Sequence, residues 1–407
     1  MDELNFPDFK RDRKMVQNNN LNLHLFSREL RLLIALLKLE NNKYYFSETS
    51  ELLVDVDWKK FIQLAKHHRV YPMVYENILR KSINVPDFVM DTLNNLCFKN
   101  TMNMLTLTAE IETVCKTLAS NNIQTLVLKG PILADYLYGD ISKRTSKDLD
   151  ILVPITKIEK VEELLYSLGY QLEYQGSRIL NDWKQKVNHL SFYHPKRHIQ
   201  VEVHVYLNRT MGLEPKFNDL WIRKNTSYLT GTPIYFLGIE DLFFHLVTHG
   251  ARHAWFRLRW LVDIDKILKK EINYMKLLEL LEKYEANRSY AQAIDLCDNL
   301  LDSKVGEKLH NLIRYDKHQL KLTQIAIYFI NNSISPHAKE KSGKFYKKYS
   351  KSLRTKKQRL LLIMKLMYPS SSDAKVFPLP KPLHFLYFPL RPFIWSYRRI
   401  RMRRGNS

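Results

Sequence analysis

The octapeptide His198–Val205, reading HIQVEVHV, constrains the fold of this chain more than any other segment. Successive side chains of a strand point to opposite faces. Ile199, Val201, Val203 and Val205 therefore share one face, and His198, Gln200, Glu202 and His204 share the other. Such a strand belongs in a sheet with a core on one side and something polar on the other. Two more strands are expected upstream: the short apolar run Ile123–Leu128 (IQTLVL) and Asp148–Val153 (DLDILV). Elsewhere the texture is helical. Glycine is scarce, with 11 in 407 residues, and long stretches carry apolar residues at helical spacing. The expectation is an α+β fold, with a small mixed β-sheet embedded between N-terminal and C-terminal helical regions.

Five segments follow along the chain. Residues 1–27 form a polar, Asn-rich, flexible lead-in, and Ser27 is placed to cap the first helix. Residues 28–120 read as a helical region of four or so helices, closed by the turn signal Asn121-Asn122. The α/β core takes 121–235. Within it, Pro131 suits the first position of a helix through Leu133, Leu137 and Tyr138, and a loop then carries Lys143, Arg144 and Ser146. After the Asp148 strand, a helix over Lys157–Leu168 stops at Gly169. A helical domain covers 236–334, running from about Ile239 to Asn331, with Asp241 as an acid in its first turn. Residues 335–407 are a basic tail containing aromatics and punctuated by Pro378, Pro380, Pro382, Pro389 and Pro392, which argue against one long helix there.

With 64 Lys and Arg against 42 Asp and Glu, the formal net charge is +22. A field of that sign attracts polyanions: nucleic acid, nucleotide phosphates or an anionic leaflet. Cys97, Cys115 and Cys297 are far apart and show no metal-binding spacing, which points to reduced thiols in a cytoplasmic protein. The opening residues contain acids and no apolar core of a signal peptide, so no secretory leader is expected.

The chemistry concentrates at Asp148 and Asp150. Residues two apart on a strand point the same way, so these carboxylates project side by side. Two adjacent carboxylates repel unless a cation lies between them, and hard oxygen donors suit Mg²⁺ (or Mn²⁺) completed by substrate phosphates. Lys129 and Gly130 precede a helix N-terminus, a natural receiver of phosphate oxygens, and Arg144 can offer a bidentate fork. Glu202 completes a three-carboxylate site if its strand neighbours the Asp148 strand. His204 shares the polar face of Glu202 and belongs to the rim.

The order LKG…LY…R…DLDILV…VEVH is similar to the polymerase-β-type nucleotidyltransferase superfamily. More narrowly, it resembles the poorly characterised bacterial branch in which LKG replaces the usual Gly-Ser turn. The resemblance extends over roughly 28–270 and takes in DWKKFIQLAKHHRVYPMVYENI and HLVTHGARHAWFRLRWLVDIDKIL. This chain departs from the superfamily pattern in reading Gly130-Pro131 where Ser is usual, and in offering Glu202 as third acid. The resemblance implies a nucleotidyltransferase core and a metal-dependent transfer of an NMP group from an NTP such as ATP to an acceptor hydroxyl, with release of pyrophosphate. Asp148, Asp150 and Glu202 would be the catalytic and metal-binding residues, and Lys129, Gly130, Arg144 and Ser146 would bind nucleotide. The acceptor is open among glycan, small molecule, protein and RNA. A catalytically silent nucleotide-binding or scaffold protein of the same fold is the alternative, peripheral to membrane or RNA.

His245, His249 and His253 recur every fourth residue, forming a column on one helix face. Three histidines on one helix do not reach a single ion in good geometry, so His249, with Arg257 and Arg259, is read as lining a nucleotide or acceptor cleft. Asp263 is read as a structural partner of Arg257 or Arg259, and Trp255 and Trp260 as core. In the tail, aromatics alternate with arginines, a combination that suits an anionic membrane surface at the inner face of the membrane, or single-stranded nucleic acid.

Overall fold

A computed structural model describes residues 26–39, 46–173, 184, 188–208, 213–303, 317–335 and 340–404. The lead-in expected over 1–27 lies outside the described residues except for Phe26 and Ser27. The chain divides into two compact units, each discontinuous in sequence. One comprises residues 1–106, 133–146 and 239–353; the other comprises 107–132, 147–238 and 354–407.

The first unit is helical. Helices α1 (Arg28–Lys38), α2 (Phe46–Leu52), α3 (Trp58–His68) and α4 (Tyr71–Arg80) precede α5 (Asp87–Ser120), whose first part belongs here. Ser27 caps α1 as its sequence position suggested, accepting the Leu30 N–H at 3.3 Å, and Asp57 does the same for α3. The later helices are α9 (Ile239–Arg252), α10 (Leu258–Leu268), α11 (Tyr274–Lys283), α12 (Asn287–Leu301), α13 (Lys317–Asn331) and α14 (Glu340–Leu353). Their outer bounds, Ile239 and Asn331 for the stretch before the tail, fall where the apolar periodicity placed them. Helices α9 and α10 pack on α12. Leu246, Val247, Leu261, Ile264, Ile294 and Leu300 are buried in this core. Each such side chain contributes about 1.5–3 kcal/mol.

Gly250 and Trp255 fix how α9 ends. The chain reverses after Arg252, and the Trp255 ring lies back against the helix where a Cβ on Gly250 would sit 2.3 Å from a ring carbon. The indole N–H donates to Gln292 Oε1 at 3.0 Å, and the Tyr349 hydroxyl donates to the Ala251 carbonyl at 2.7 Å. Trp255 is wholly buried and Trp260 nearly so, as expected of core residues.

The second unit holds the sheet. Its strands are β1 (Leu126–Val127), β2 (Leu149–Leu152), β3 (Gln171–Leu172), β4 (His189–His194), β5 (Ile199–His204), β6 (Asn225–Ser227) and β7 (Ile234–Phe236). They lie in the order β3-β4-β5-β2-β1-β7-β6, with β2–β5 and β1–β7 parallel and the other pairs antiparallel. The sheet is mixed, as expected, and the protein is α+β. It has four more strands than the sequence suggested. Three of these, β3, β6 and β7, span two or three residues, too few to display a period. Helices α6 (Pro131–Tyr138), α7 (Ile158–Ser167) and α8 (Phe217–Ile222) lie between strands in the chain. On β5 the apolar residues Ile199, Val201 and Val203 are buried, and on α7 so are Ile158, Val161 and Leu165. Glu110, on the second part of α5, accepts from the Tyr170 hydroxyl at 2.7 Å and pairs with both its oxygens to Arg197.

The tail is more ordered than proline content alone implied. Helices α15 (Lys356–Met367) and α16 (Ser371–Val376) lead to a 3₁₀ segment and then to α17 (Tyr387–Arg404). Pro378, Pro380 and Pro382 do interrupt helix, but Pro389 and Pro392 lie within α17. Pro389 sits in the first turn, where a backbone N–H has no helical partner to lose. The cost at Pro392 is offset by packing: Tyr387 and Ile394 bury against Ala374, Leu379 and Leu390. Buried Asp373 pairs with Arg391 and Arg398 of the same helix.

Candidate active site

Strands β2 and β5 pair in parallel with Asp150 opposite Glu202 and Leu152 opposite His204. Parallel neighbours in register share a face, so the second aspartate of DLD and the glutamate of VEVH project together. Asp148 stands at the entry to β2, half-buried, one residue before the first paired position. The three acids named from sequence thus belong to one sheet neighbourhood, because the Glu202 strand is the parallel neighbour of the Asp148–Asp150 segment.

The same face carries two imidazoles. His204 Nε2 is 3.0 Å from Asp150 Oδ1 and 3.4 Å from Glu202 Oε2. His189, opposite His204 across the β4–β5 ladder, brings its Nε2 to 3.6 Å from Glu202 Oε2. His204 is buried rather than at a rim. Burial pushes its pKa down, but hydrogen bonds to Asp150 and Glu202 outweigh this and hold it above the usual histidine value. Burial pushes the Glu202 carboxyl up; the hydrogen bond from His204 and the charges of His189 and His204 prevail and hold it below the usual range. Nothing in the sequence reading singled out His189. The available signal was the run HLSFYH followed by Pro195-Lys196-Arg197, a second alternating stretch and a turn just before the clearest strand.

Lys129 and Gly130 lie on the same unit. The Lys129 ammonium is 3.8 Å from Asp150 Oδ2 and is itself buried. Gly130 has φ +74°, a left-handed conformation that a side chain disfavours, and a Cβ there would meet Leu149 Cδ2 at 3.5 Å and the Asp148 carbonyl at 4.0 Å. The backbone of the LKG turn is thereby brought against the start of the DLD strand. Pro131 opens α6 without an N–H to offer, so the amides available at that terminus begin at Ile132.

Arg144, Ser146 and His249 belong to the helical unit. Arg144 is buried, and its Nε and Nη2 donate to Asp263 Oδ1 and Oδ2 at 2.9 and 3.0 Å. Tyr138 donates to the same carboxylate at 2.7 Å. The partner of Asp263 is therefore Arg144, in place of the expected Arg257 or Arg259; two helical turns of sequence proximity gave no hint of an acid reaching a residue 119 positions away. Arg259 instead donates to the Thr145 carbonyl, and burial, then the nearby Arg144 charge, pulls its pKa down to about 9. The Ser146 carbonyl accepts from Asn103 at 2.9 Å. His249 stacks within its own column, 4.7 Å from the His253 ring and 5.5 Å from Trp260. Among the described residues, the His/Cys/Asp/Glu group whose ligand atoms converge is His189, Glu202 and His204, not the column on α9.

Asp150 and Glu202 stand in register, with Asp148 just before Asp150 on the same chain segment.

With that geometry in place, comparison with known proteins gives the class. The model of a family described as uncharacterised nucleotidyltransferases matches residues 54–302, and the chain belongs to that family. No curated protein matches. Among solved structures, an antigenic nucleotidyltransferase-like protein from Paracoccidioides brasiliensis is similar at 16% identity, over 51% of this chain and 94% of that one, with a TM-score of 0.29.

Proposed function

We propose that the chain transfers an NMP group from an NTP to an acceptor hydroxyl, using Asp148, Asp150 and Glu202 as a metal-binding carboxylate set. The observation that carries this reading is the pairing of Asp150 with Glu202 across β2 and β5. A bound divalent ion would supply charge neutralisation at the transferring phosphoryl group and acidify the acceptor hydroxyl. Glu202 would ligate the metal nearer the acceptor hydroxyl and help to activate it. Lys129 adds positive charge beside Asp150, where a phosphate oxygen can replace the carboxylate as its partner. Gly130 takes the left-handed turn that leads into the N-terminus of α6, whose free amides would face a phosphate. Base, acceptor class and the use of ATP in particular are for the assay to define.

The test supplies each labelled NTP with Mg²⁺ or Mn²⁺ and a cell extract, and follows label into product. Loss of labelling in the double variant Asp148→Ala, Asp150→Ala supports the enzyme; equal labelling in the variant sinks it. One feature favours a second reading, a nucleotide-binding scaffold without turnover: Pro131 stands where a hydroxyl-bearing serine is usual and withholds an amide. Saturable NTP binding with no labelled product under any condition selects that reading.

A further inference from the structure

We propose that His189, Glu202 and His204 form a mixed imidazole–carboxylate site that takes a transition-metal ion of the Mn²⁺-to-Zn²⁺ kind in preference to Mg²⁺. This deepens the reading above, on which it rests through the shared Glu202. One atom of each residue lies within 4.8 Å of the others. The two contacts to Glu202 Oε2 measure 3.4 and 3.6 Å. Metal–ligand bonds of about 2.0–2.2 Å set at tetrahedral angles place donor atoms roughly 3.4 Å apart, so the side chains need little movement to close on an ion. The arrangement follows from the ladder: His189 faces His204 directly and Glu202 lies diagonally, two residues back on β5. The imidazole rings stand 4.8 Å apart and tilted, both presenting Nε2 to the same carboxylate. At a site with two nitrogen donors affinity rises from Mn²⁺ towards Zn²⁺, whereas Mg²⁺ holds to oxygen and water. The competing account is a plain ion-pair cluster in which protonated histidines neutralise Glu202.

Calorimetric titration of the chelator-treated full chain with Mn²⁺, Zn²⁺ and Mg²⁺, without nucleotide, decides between them; Mn²⁺ spin resonance gives an independent readout. Expected is at least a tenfold loss of Zn²⁺ and Mn²⁺ affinity in both His189→Ala and His189→Gln, with Mg²⁺ affinity unchanged. Equal Zn²⁺ and Mn²⁺ affinity in wild type and both variants overturns the site, as does Mg²⁺ displacing Mn²⁺ at equal concentration. His189 is half-exposed, and circular dichroism verifies that the variants fold. Failure here is distinct from failure of the transfer reading. Nitrogen-dependent metal binding without labelled product removes the activity alone, and labelled product together with Zn²⁺ and Mn²⁺ affinities indifferent to His189 removes the site alone.

The C-terminal helices present a separate surface. On α15, Leu360, Ile363, Met364 and Met367 recur at helical spacing and are all exposed, as are Phe393 and Trp395 on α17. Residues 354–407 contain 13 Lys and Arg and one acid, Asp373. That acid is buried and neutralised by Arg391 and Arg398. We infer that this surface docks on an anionic lipid membrane. Apolar side chains enter the acyl boundary while the cations meet the anionic headgroups. A second copy of the chain would bring like charge against like charge, and nucleic acid would leave the aliphatic stripe of α15 in water. In sedimentation of the full chain with vesicles, binding is expected to phosphatidylglycerol–phosphatidylcholine mixtures, not to pure phosphatidylcholine. High salt, or the exposed-site double variant Ile363→Glu, Met364→Glu, should weaken it at least tenfold. Equal binding by that variant overturns the inference, and so does capture of a single-stranded RNA oligomer with none of the anionic vesicles.

Discussion

Asp150 and Asp263 are both buried carboxylates, one on the sheet and one in the helical unit, and their surroundings differ in kind. Asp263 receives Arg144 through a planar, bidentate fork and a hydroxyl from Tyr138, each within 3.0 Å. Arg144 and Asp263 are both almost wholly excluded from water. Asp150 is approached by Lys129 at 3.8 Å and shares His204 with Glu202, which keeps partial contact with solvent. The first arrangement meets both oxygens of Asp263 with direct hydrogen bonds. The second holds several charges in exchangeable contacts, the condition under which a cation or phosphate can enter. A polar sequence motif does not distinguish these cases, because both begin as an acid among apolar neighbours.

That contrast is most sharply broken at the helical pair. Arg144→Ala or Asp263→Ala strands a buried charge, and an unfolding titration should show a loss of about 3–5 kcal/mol. A loss under about 1 kcal/mol would mean that the pair is not structural and would return Arg144 to the nucleotide-binding candidates.

Acid should act on the helical unit too. His68 is buried, and its Nδ1 accepts the Leu258 N–H at 3.3 Å. Burial, then the charges of His67 and Arg257, pull its pKa down to about 3. The unfolded chain therefore binds the proton first. Stability from this group is complete above the ordinary histidine value near 6.5, and it is lost as pH falls from there toward 3. The span is on the order of 5 kcal/mol. Urea midpoints measured down this range should fall, and His68→Leu, though weaker at neutral pH, should show a flatter profile.

At the sheet, Asp150→Asn preserves shape and removes charge. Transfer should drop by a factor of about 10²–10³, equivalent to roughly 2.7–4 kcal/mol of barrier. Unfolding free energy should move by less than about 1 kcal/mol. If stability falls as far as activity, Asp150 is a structural acid like Asp263 and the comparison collapses.

The smallest effect concerns neither cluster and calibrates the helical frame that holds one of them. Gly250→Ala drives a methyl into the Trp255 ring and should cost about 1–3 kcal/mol in thermal or chemical unfolding, with near-ultraviolet dichroism reporting the displaced indole.

Much of this protein was legible in its residues because strand and helix periods are local. Alternation at 199–204 and the apolar run at 149–152 identified the two strands that carry Asp150 and Glu202, and capping chemistry located the start of α1. The resemblance to nucleotidyltransferases agrees, at that coarse level, with the family to which residues 54–302 match. Short strands β3, β6 and β7 were not legible, since two or three residues carry no period and are held by neighbours instead. Register was beyond sequence as well. Only the paired sheet put Glu202 opposite Asp150 and drew His189 from another strand to the same carboxylate. Likewise, only tertiary packing gave Arg144 to Asp263. A side chain's chemistry is written in the sequence, but its partner is fixed by contacts between residues far apart in the chain, and those contacts exist only once the chain has folded.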